Sequence, residues 1–346
     1  MLRIISGRAG TGKSAAVMNE IAAAVKRREG GYILLVPEQY SHEAERELCE
    51  ICGDSLSLYA EVLSFTGLAR RVAAELGGGA ARYLDKGGRL LCMALASDGL
   101  HSRLRVYSDA RRKAELQAML LSAVDELKTA CISAEQLMEA STACDGSLSD
   151  KLHDLALILE AYDAVVANGH ADPTDRLTVL AEQIPQSALG KNSHIYIDGF
   201  TDFTAQERRV ISALMLSGAE VTVCISCDDL YGGSEVFELG RATASSLTAL
   251  AKDNGIEVSV EKFTEKSGKN EALSYFADKG KLRIDGNTVA LASFQTNFSD
   301  EQVTMQKDLE DYFLKCGVEA PLNKDTMEIF GLKQKLCKQV MTRMIK

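Results

Sequence analysis

The first 70 residues alternate short apolar runs with amphipathic stretches. Leu2 to Ser6 is almost wholly apolar, as a strand buried on both faces should be. Ser14 to Arg28 repeats its apolar positions at helical spacing, in AAVMNEIAAAV, and predicts a helix broken by Gly30 and Gly31. Tyr32 to Val36 predicts a second buried strand, and Ser41 opens a second helix. Glu61 to Ser64 predicts a third strand, followed by a helix from Phe65 to Leu76 that the run Gly77-Gly78-Gly79 ends. This order of strands and helices predicts a doubly wound α/β unit with a parallel sheet.

From about Leu84 to Gln183 the pattern changes. Segments such as RRKAELQAMLLSAVDELKTA and SDKLHDLALILEAYDAVV carry helical periodicity without strand signals. They predict an all-helical insertion of roughly four to six helices. The earlier alternation then resumes. His194 to Asp198 reads as a strand, Thr204 to Leu216 as a helix and Glu220 to Ser226 as a strand. Ser234 to Asn254 is mostly helical in pattern, and Ile256 to Phe263 predicts a further strand. After about Glu265 the chain is polar and broken, and Asp300 to Lys346 predicts helix with a basic end. The expected organisation is one α/β domain in two halves, residues 1–82 and 184–264, around a helical insertion at 83–183, with a partly helical tail at 265–346.

Residues Gly7 to Ser14 read GRAGTGKS, a complete G-x-x-x-x-G-K-[ST] pattern between the first strand and the first helix. In such a loop the backbone N–H groups wrap around phosphates, and the helix N-terminus adds a favourable dipole. Gly7, Gly10 and Gly12 admit close backbone approach and backbone angles that a Cβ would block. Thr11 sits within the loop, Lys13 can reach the β- and γ-phosphates, and the Ser14 hydroxyl can bind Mg²⁺. The plainer alternative is a glycine-rich turn that only caps a helix.

A Mg²⁺–ATP site also needs a carboxylate at the end of a neighbouring strand, and Asp198 at the end of IYID is the candidate. In an active helicase-type ATPase the next residue is usually Glu, which activates the attacking water. Here it is Gly199; Asp202 and Glu207 are close in sequence and could substitute, although Glu207 falls a helical turn away. These residues predict a site that takes nucleotide and Mg²⁺ but hydrolyses poorly. A carboxylate that merely caps a turn is the alternative for Asp198.

Composition narrows the partners. The chain has 346 residues, 46% hydrophobic and 25% charged, an ordinary globular make-up whose length suggests two or three domains. The formal net charge of -10 repels nucleic acid at long range. Any DNA contact must therefore be local or depend on a partner. Arg111 and Arg112, beside Lys113, are the candidate basic face, and a solvated helix face is the alternative. No run approaches the roughly 18 apolar residues of a membrane span, and no signal peptide precedes the first strand. The nine cysteines lie scattered through apolar segments, which suits a reducing cytoplasm. Cys49 and Cys52 share a predicted helix face, whereas Cys224 and Cys227 on a predicted strand point to opposite faces. Neither pair has a neighbouring His or Cys, so packing rather than metal binding is expected of them.

Four blocks, GRAGTGKS, LLVPEQYSHEAEREL, EVLSFTGLARRV and IYIDGFTDFTAQE, together resemble the N-terminal region of the AddB family in order and spacing. AddB is the B subunit of a bacterial helicase–nuclease whose N-terminal half is similar to UvrD-like superfamily 1 helicases. The resemblance covers about Met1 to Phe263 and implies a P-loop NTPase (RecA-like) α/β fold, a doubly wound parallel sheet interrupted by an all-helical insertion. It implies ATP and Mg²⁺ as ligands, a motor/nuclease A subunit as partner, and DNA ends or single-stranded DNA as substrate in double-strand break repair by recombination. By position it carries nucleotide contacts onto Gly7, Gly12, Lys13, Ser14 and Gln39, with Ser14 and Asp198 toward the metal. Ser64 and Phe65 fall in a segment that in related helicases lies near the single strand, where an aromatic can stack on a base. A plain core role is the alternative for Phe65.

The family's full-length members are much longer than this chain and continue into a second RecA-like domain and a nuclease domain with an iron–sulfur cluster. Neither the cluster's cysteines nor the nuclease ligands are recognisable here, so no iron–sulfur cluster and no nuclease activity are expected, and the chain reads as a truncated product or a fragment. Two readings compete with that of a nucleotide-binding helicase-like subunit. One is an autonomous NTPase or small-molecule kinase; the other is a non-catalytic structural remnant.

Overall fold

The computed structural model describes residues 1–77, 82–109, 113–264, 277, 279–285, 288–291, 300–316 and 340. Two compact units divide the chain, Met1–Lys266 and Ser267–Lys346.

The first unit is built on a six-stranded sheet of β1 (Leu2–Gly7), β2 (Tyr32–Leu35), β3 (Ala60–Leu63), β4 (His194–Ile197), β5 (Glu220–Ser226) and β6 (Val258–Lys262). All five strand pairings are parallel, and the spatial order is β3-β2-β4-β5-β1-β6. The apolar runs explain why: a parallel strand carries helices on both faces and must be apolar on both. One face holds Leu2, Ile4, Ile33, Leu35, Ile195 and Val221 in a single core. Against it pack α4 (Phe65–Glu75), α9 (Arg176–Gln183), α10 (Ala205–Leu216) and α11 (Glu238–Asp253). The other face presents Ile5, Tyr32, Leu34, Tyr196 and Cys224 to α1 (Lys13–Arg27) and α2 (Ser41–Cys52). Cys227 belongs to the first core and Cys224 to the second, so the pair faces opposite sides as strand alternation dictates.

The order of strands corrects one expectation. Asp198 does not end a strand adjacent to β1: β5 lies between β1 and β4. At about 4.8 Å per strand, two strand spacings separate the two chain ends by roughly 10 Å, enough for phosphates to sit between them.

Between α4 and β4 the described residues form α5 (Lys86–Leu100), α6 (Ala114–Thr129), α7 (Ala134–Ala143), α8 (Gly146–Val166) and α9. The short α3 (Leu56–Tyr59) precedes β3. Helices α5 to α8 enclose a core of their own, with Met93, Leu120, Val124, Leu157, Ile158 and Tyr162 buried. Charged groups stitch this bundle. Arg89 pairs with Asp125 and, at 3.0 Å, with the fully buried Asp172. Lys128, only 6% exposed, reaches Asp163 and Asp175 at 2.7 Å each and Asp172 at 3.4 Å. Asp154, also fully buried, accepts hydrogen bonds from the backbone N–H groups of Arg105, Val106 and Tyr107 at 2.7–3.0 Å. Gln206 on α10 donates to the Thr174 carbonyl at 2.8 Å and ties the bundle's exit to the sheet's helices.

Gly31, which leads into β2, has φ +89°, and a Cβ there would collide with the Asn192 carbonyl oxygen. Gly31→Ala is expected to destabilise the first unit by about 1–3 kcal/mol. Urea denaturation checks this, and an unchanged midpoint would contradict the packing of β2 against the turn before β4.

In the second unit, β7 (Leu282–Asp285) and β8 (Thr288–Leu291) form an antiparallel hairpin, and α12 spans Asp300–Cys316. The hairpin corrects the expectation of a merely broken stretch: LRID alternates and TVAL is mostly apolar, but four residues are too few to stand out. Arg111 and Arg112 lie outside the described residues, as does the basic end of the expected C-terminal helix apart from residue 340. No helix among the described residues is long and apolar enough to cross a membrane.

Candidate functional site

The glycine loop leaves the C-terminal end of β1 and enters α1 at Gly12. Gly10 and Gly12 have φ +80° and +91°, angles that L side chains rarely adopt, and they turn the chain into the helix. Gly7 is needed for a different reason. A Cβ on it would sit 2.6 Å from the Phe263 carbonyl oxygen and 2.7 Å from Thr11 Oγ1, so the constraint is packing against the chain after β6. Thr11 is buried and its hydroxyl donates to the Arg8 carbonyl at 2.9 Å, which pins the loop. The first turn of α1 leaves its backbone N–H groups free of helical partners and directed out of the helix end.

Lys13 is 7% exposed, and its Nζ donates to the carbonyls of Gly7 at 2.7 Å and Arg8 at 2.9 Å. Those carbonyl oxygens occupy the ammonium as phosphate oxygens would. Burial pushes the Lys13 pKa below its ordinary value, while nearby Cys224 and Asp198 oppose the shift. Burial, with the Asp198 carboxylate beside it, pushes the Cys224 thiol far above its ordinary range, so the sulfur stays protonated and neutral.

A cleft of about 480 Å³ lies over the loop, lined by Gly10, Gly12, Lys13, Ser14, Asp198 and Gly199 among others. The fold thus brings the loop and the β4 carboxylate to one cavity, with β5 supplying Cys224 and Ser226 between them. Sequence reasoning missed these two because it did not place β5 between the two ends; the register Ile5↔Cys224 sets them there. It also missed Glu47, which lines the same cleft from α2.

The donor set suits a nucleotide with its metal: a buried ammonium, an exposed hydroxyl on Ser14 and a carboxylate on Asp198 share one cavity of suitable size. The two carboxylates weighed as substitutes for the missing glutamate are committed elsewhere. Asp202 accepts from Phe203 N–H at 2.7 Å and from the Thr243 hydroxyl at 3.2 Å. Glu207 closes the capping box of α10, accepting from Thr204 N–H at 2.8 Å. Gly199 has φ +81° with Pro37 Cδ 3.3 Å from where a Cβ would lie, so a glutamate there would be strained.

The remaining candidates sit apart from the cleft. Gln39 is exposed in the turn Glu38–Tyr40 and lines neither the cleft nor the cavity beside it. Ser64 caps α4, accepting from Gly67 N–H at 3.1 Å and donating to Glu38 at 2.9 Å. Phe65 is 5% exposed, edge-on to Phe200 with ring centroids 5.4 Å apart and to Phe203 at 6.4 Å. That is the position of a core residue.

The family model described as ADDB, N-terminal, matches residues 4–277. The B subunit of the ATP-dependent helicase/deoxyribonuclease from Desulforudis audaxviator (strain MP104C) is 34% identical over 267 residues, 74% of this chain and 23% of the relative. The B subunit of the same description from Listeria monocytogenes serotype 4a (strain HCC23) is 30% identical over 284 residues, 80% of this chain and 24% of the relative. That from Heliobacterium modesticaldum (strain ATCC 51547 / Ice1) is 35% identical over 269 residues, 74% of this chain and 22% of the relative. The chain spans about a quarter of the length of the curated relatives it matches.

Proposed function

Because the chain belongs to the family described as ADDB, N-terminal, we propose that it is the nucleotide-binding, helicase-like module of an ATP-dependent helicase/deoxyribonuclease that processes DNA double-strand breaks for recombination. The single observation that carries this is one cleft lined by both the buried Lys13 ammonium and the Asp198 carboxylate. In the proposed complex the module binds ATP, and a separate motor/nuclease subunit drives translocation.

Lys13 and the backbone N–H groups at the start of α1 hold the phosphates. Ser14 and Asp198 would hold Mg²⁺, which when bound neutralises charge on the β- and γ-phosphates. Gly199 supplies no base at the position after Asp198, and turnover is slow. Contact with DNA is local and partner-assisted, because the net charge of -10 opposes a general affinity for phosphate backbones.

Equilibrium titration with Mg²⁺–ATP tests the reading. The expected result is saturable binding to the 346-residue chain, lost or weakened at least 100-fold in Lys13→Ala. At 100 times the dissociation constant, bound nucleotide should add about 2.7 kcal/mol to wild-type stability. No binding by the wild type would leave a non-catalytic remnant, and rapid steady turnover would make the chain an autonomous NTPase.

A further inference from the structure

We propose that Glu47 on α2 is the general base of this nucleotide site, taking the place of the glutamate that Gly199 displaces; the inference rests on the nucleotide-binding reading above. The local structure puts it there. Helix α2 buries Ala44 and Leu48 in the core that holds Val17, Met18 and Ile21 of α1. Helical geometry then sets Glu43 and Glu47, one turn apart, on the flank of that seam. Glu47 lines the phosphate cleft together with Lys13, Ser14 and Asp198. It also lines the adjoining cavity of about 380 Å³, where Glu43 joins it but which Lys13 does not reach.

Like charges at i and i+4 on a helix repel by about 0.2–0.5 kcal/mol. Neither Glu43 nor Glu47 has a hydrogen-bond or ion-pair partner among the described residues to offset that. Asp202 and Glu207 are occupied, Asp198 is the carboxylate assigned above to the metal, and Gly199 has no side chain. Among the described carboxylates of the cleft wall, Glu47 alone is uncommitted.

In the step assigned to it, a water oxygen forms a bond to the terminal phosphorus as the bond from that phosphorus to the β-phosphate oxygen breaks. ADP leaves with the bonding electron pair. The Glu47 carboxylate accepts the proton lost by the water and returns it to solvent. Adenosine triphosphate and water supply every atom of the products.

The test measures Mg²⁺–ATP affinity and single-turnover phosphate release in the wild type, Glu47→Gln, Glu43→Gln and Lys13→Ala. The expected result is slow release by the wild type, reduced about 100-fold in Glu47→Gln, with affinity unchanged within threefold. Glu43→Gln should release phosphate at the wild-type rate, because its side chain lines only the adjoining cavity. Nucleotide bound by the wild type without any release overturns the proposal. Release unaltered in Glu47→Gln overturns it too, and both outcomes leave the binding reading standing. Failure of the wild type to bind nucleotide overturns both.

Discussion

Lys128→Met is expected to destabilise the first unit by about 3–5 kcal/mol, although Lys128 lies far in sequence from the glycine loop and the substitution is nearly isosteric. The ammonium is 6% exposed and is shared by three carboxylates, of which Asp172 has no exposed side-chain surface. Burial alone would lower the Lys128 pKa, but the hydrogen bonds its ammonium donates to Asp163 and Asp175 outweigh it and hold the group charged. Removing one partner of such a set leaves buried charge uncompensated, and that cost exceeds the value of any surface pair. Arg89 would be left to balance Asp172 alone. Asp163 provides the internal contrast. Its side chain is 50% exposed, so Asp163→Asn should cost under about 1 kcal/mol. Urea denaturation of the two variants decides the matter. Equal midpoints would mean that water reaches the cluster and screens it.

Asp154→Asn is expected to lower stability at neutral pH by about 3 kcal/mol and to flatten its loss in acid. Burial works against ionisation of Asp154, but the backbone N–H groups of Arg105, Tyr107 and Val106 prevail and hold its carboxyl below the ordinary 3.8. An amide can accept through one oxygen only, leaving buried N–H groups unsatisfied at about 1–3 kcal/mol each. Because the folded pKa is the lower one, the unfolded chain binds more protons as pH falls toward and below 4. The stabilisation is therefore complete above the unfolded value and disappears as pH drops through the folded one. Asp172, lowered by Thr174 N–H and by Lys128 and Arg89 against its own burial, adds in the same direction. Asp175, raised chiefly by burial, works against them. Denaturation between pH 2.5 and 6 should show the wild-type slope reduced in the variant by up to about 1.4 kcal/mol per pH unit. Parallel slopes would count against the three-donor account.

The strands of the first unit were legible because each is a short apolar run bounded by polar or glycine residues. The ends expected for β5, Glu220 and Ser226, are those observed, and β2 and β4 differ by one residue each. The glycine loop was legible as a pattern of residue types, and the structure adds that Gly7 answers to packing rather than to backbone angle. Strand order was not legible, since nothing local in EVTVCIS says which strands it will lie between. The ionic cluster was hidden for a related reason. Arg89, Asp125 and Lys128 look like surface residues of helices, and Asp172 and Asp175 like polar residues of the turn around Pro173; only the folded bundle assembles them. Glu47 reads as one of several acidic residues on an exposed helix until α1 and α2 pack together.

The pairing of β1 has a consequence during synthesis. Its partners are β5 and β6, with Leu2 opposite Val221 and Val258. β1 is thus made before either of its neighbours, and its full pairing waits for both. At about 5–20 residues per second, roughly 10–50 seconds pass before both neighbours exist. Through that interval the apolar β1 lacks one or both of its neighbours, while the helical bundle, complete by residue 166, can already close on its own core. Nascent chains stalled before residue 220 should therefore present Leu2 to Ile5 to chaperones, and the cleft over the glycine loop is assembled only once β5, which supplies Cys224 and Ser226, has emerged.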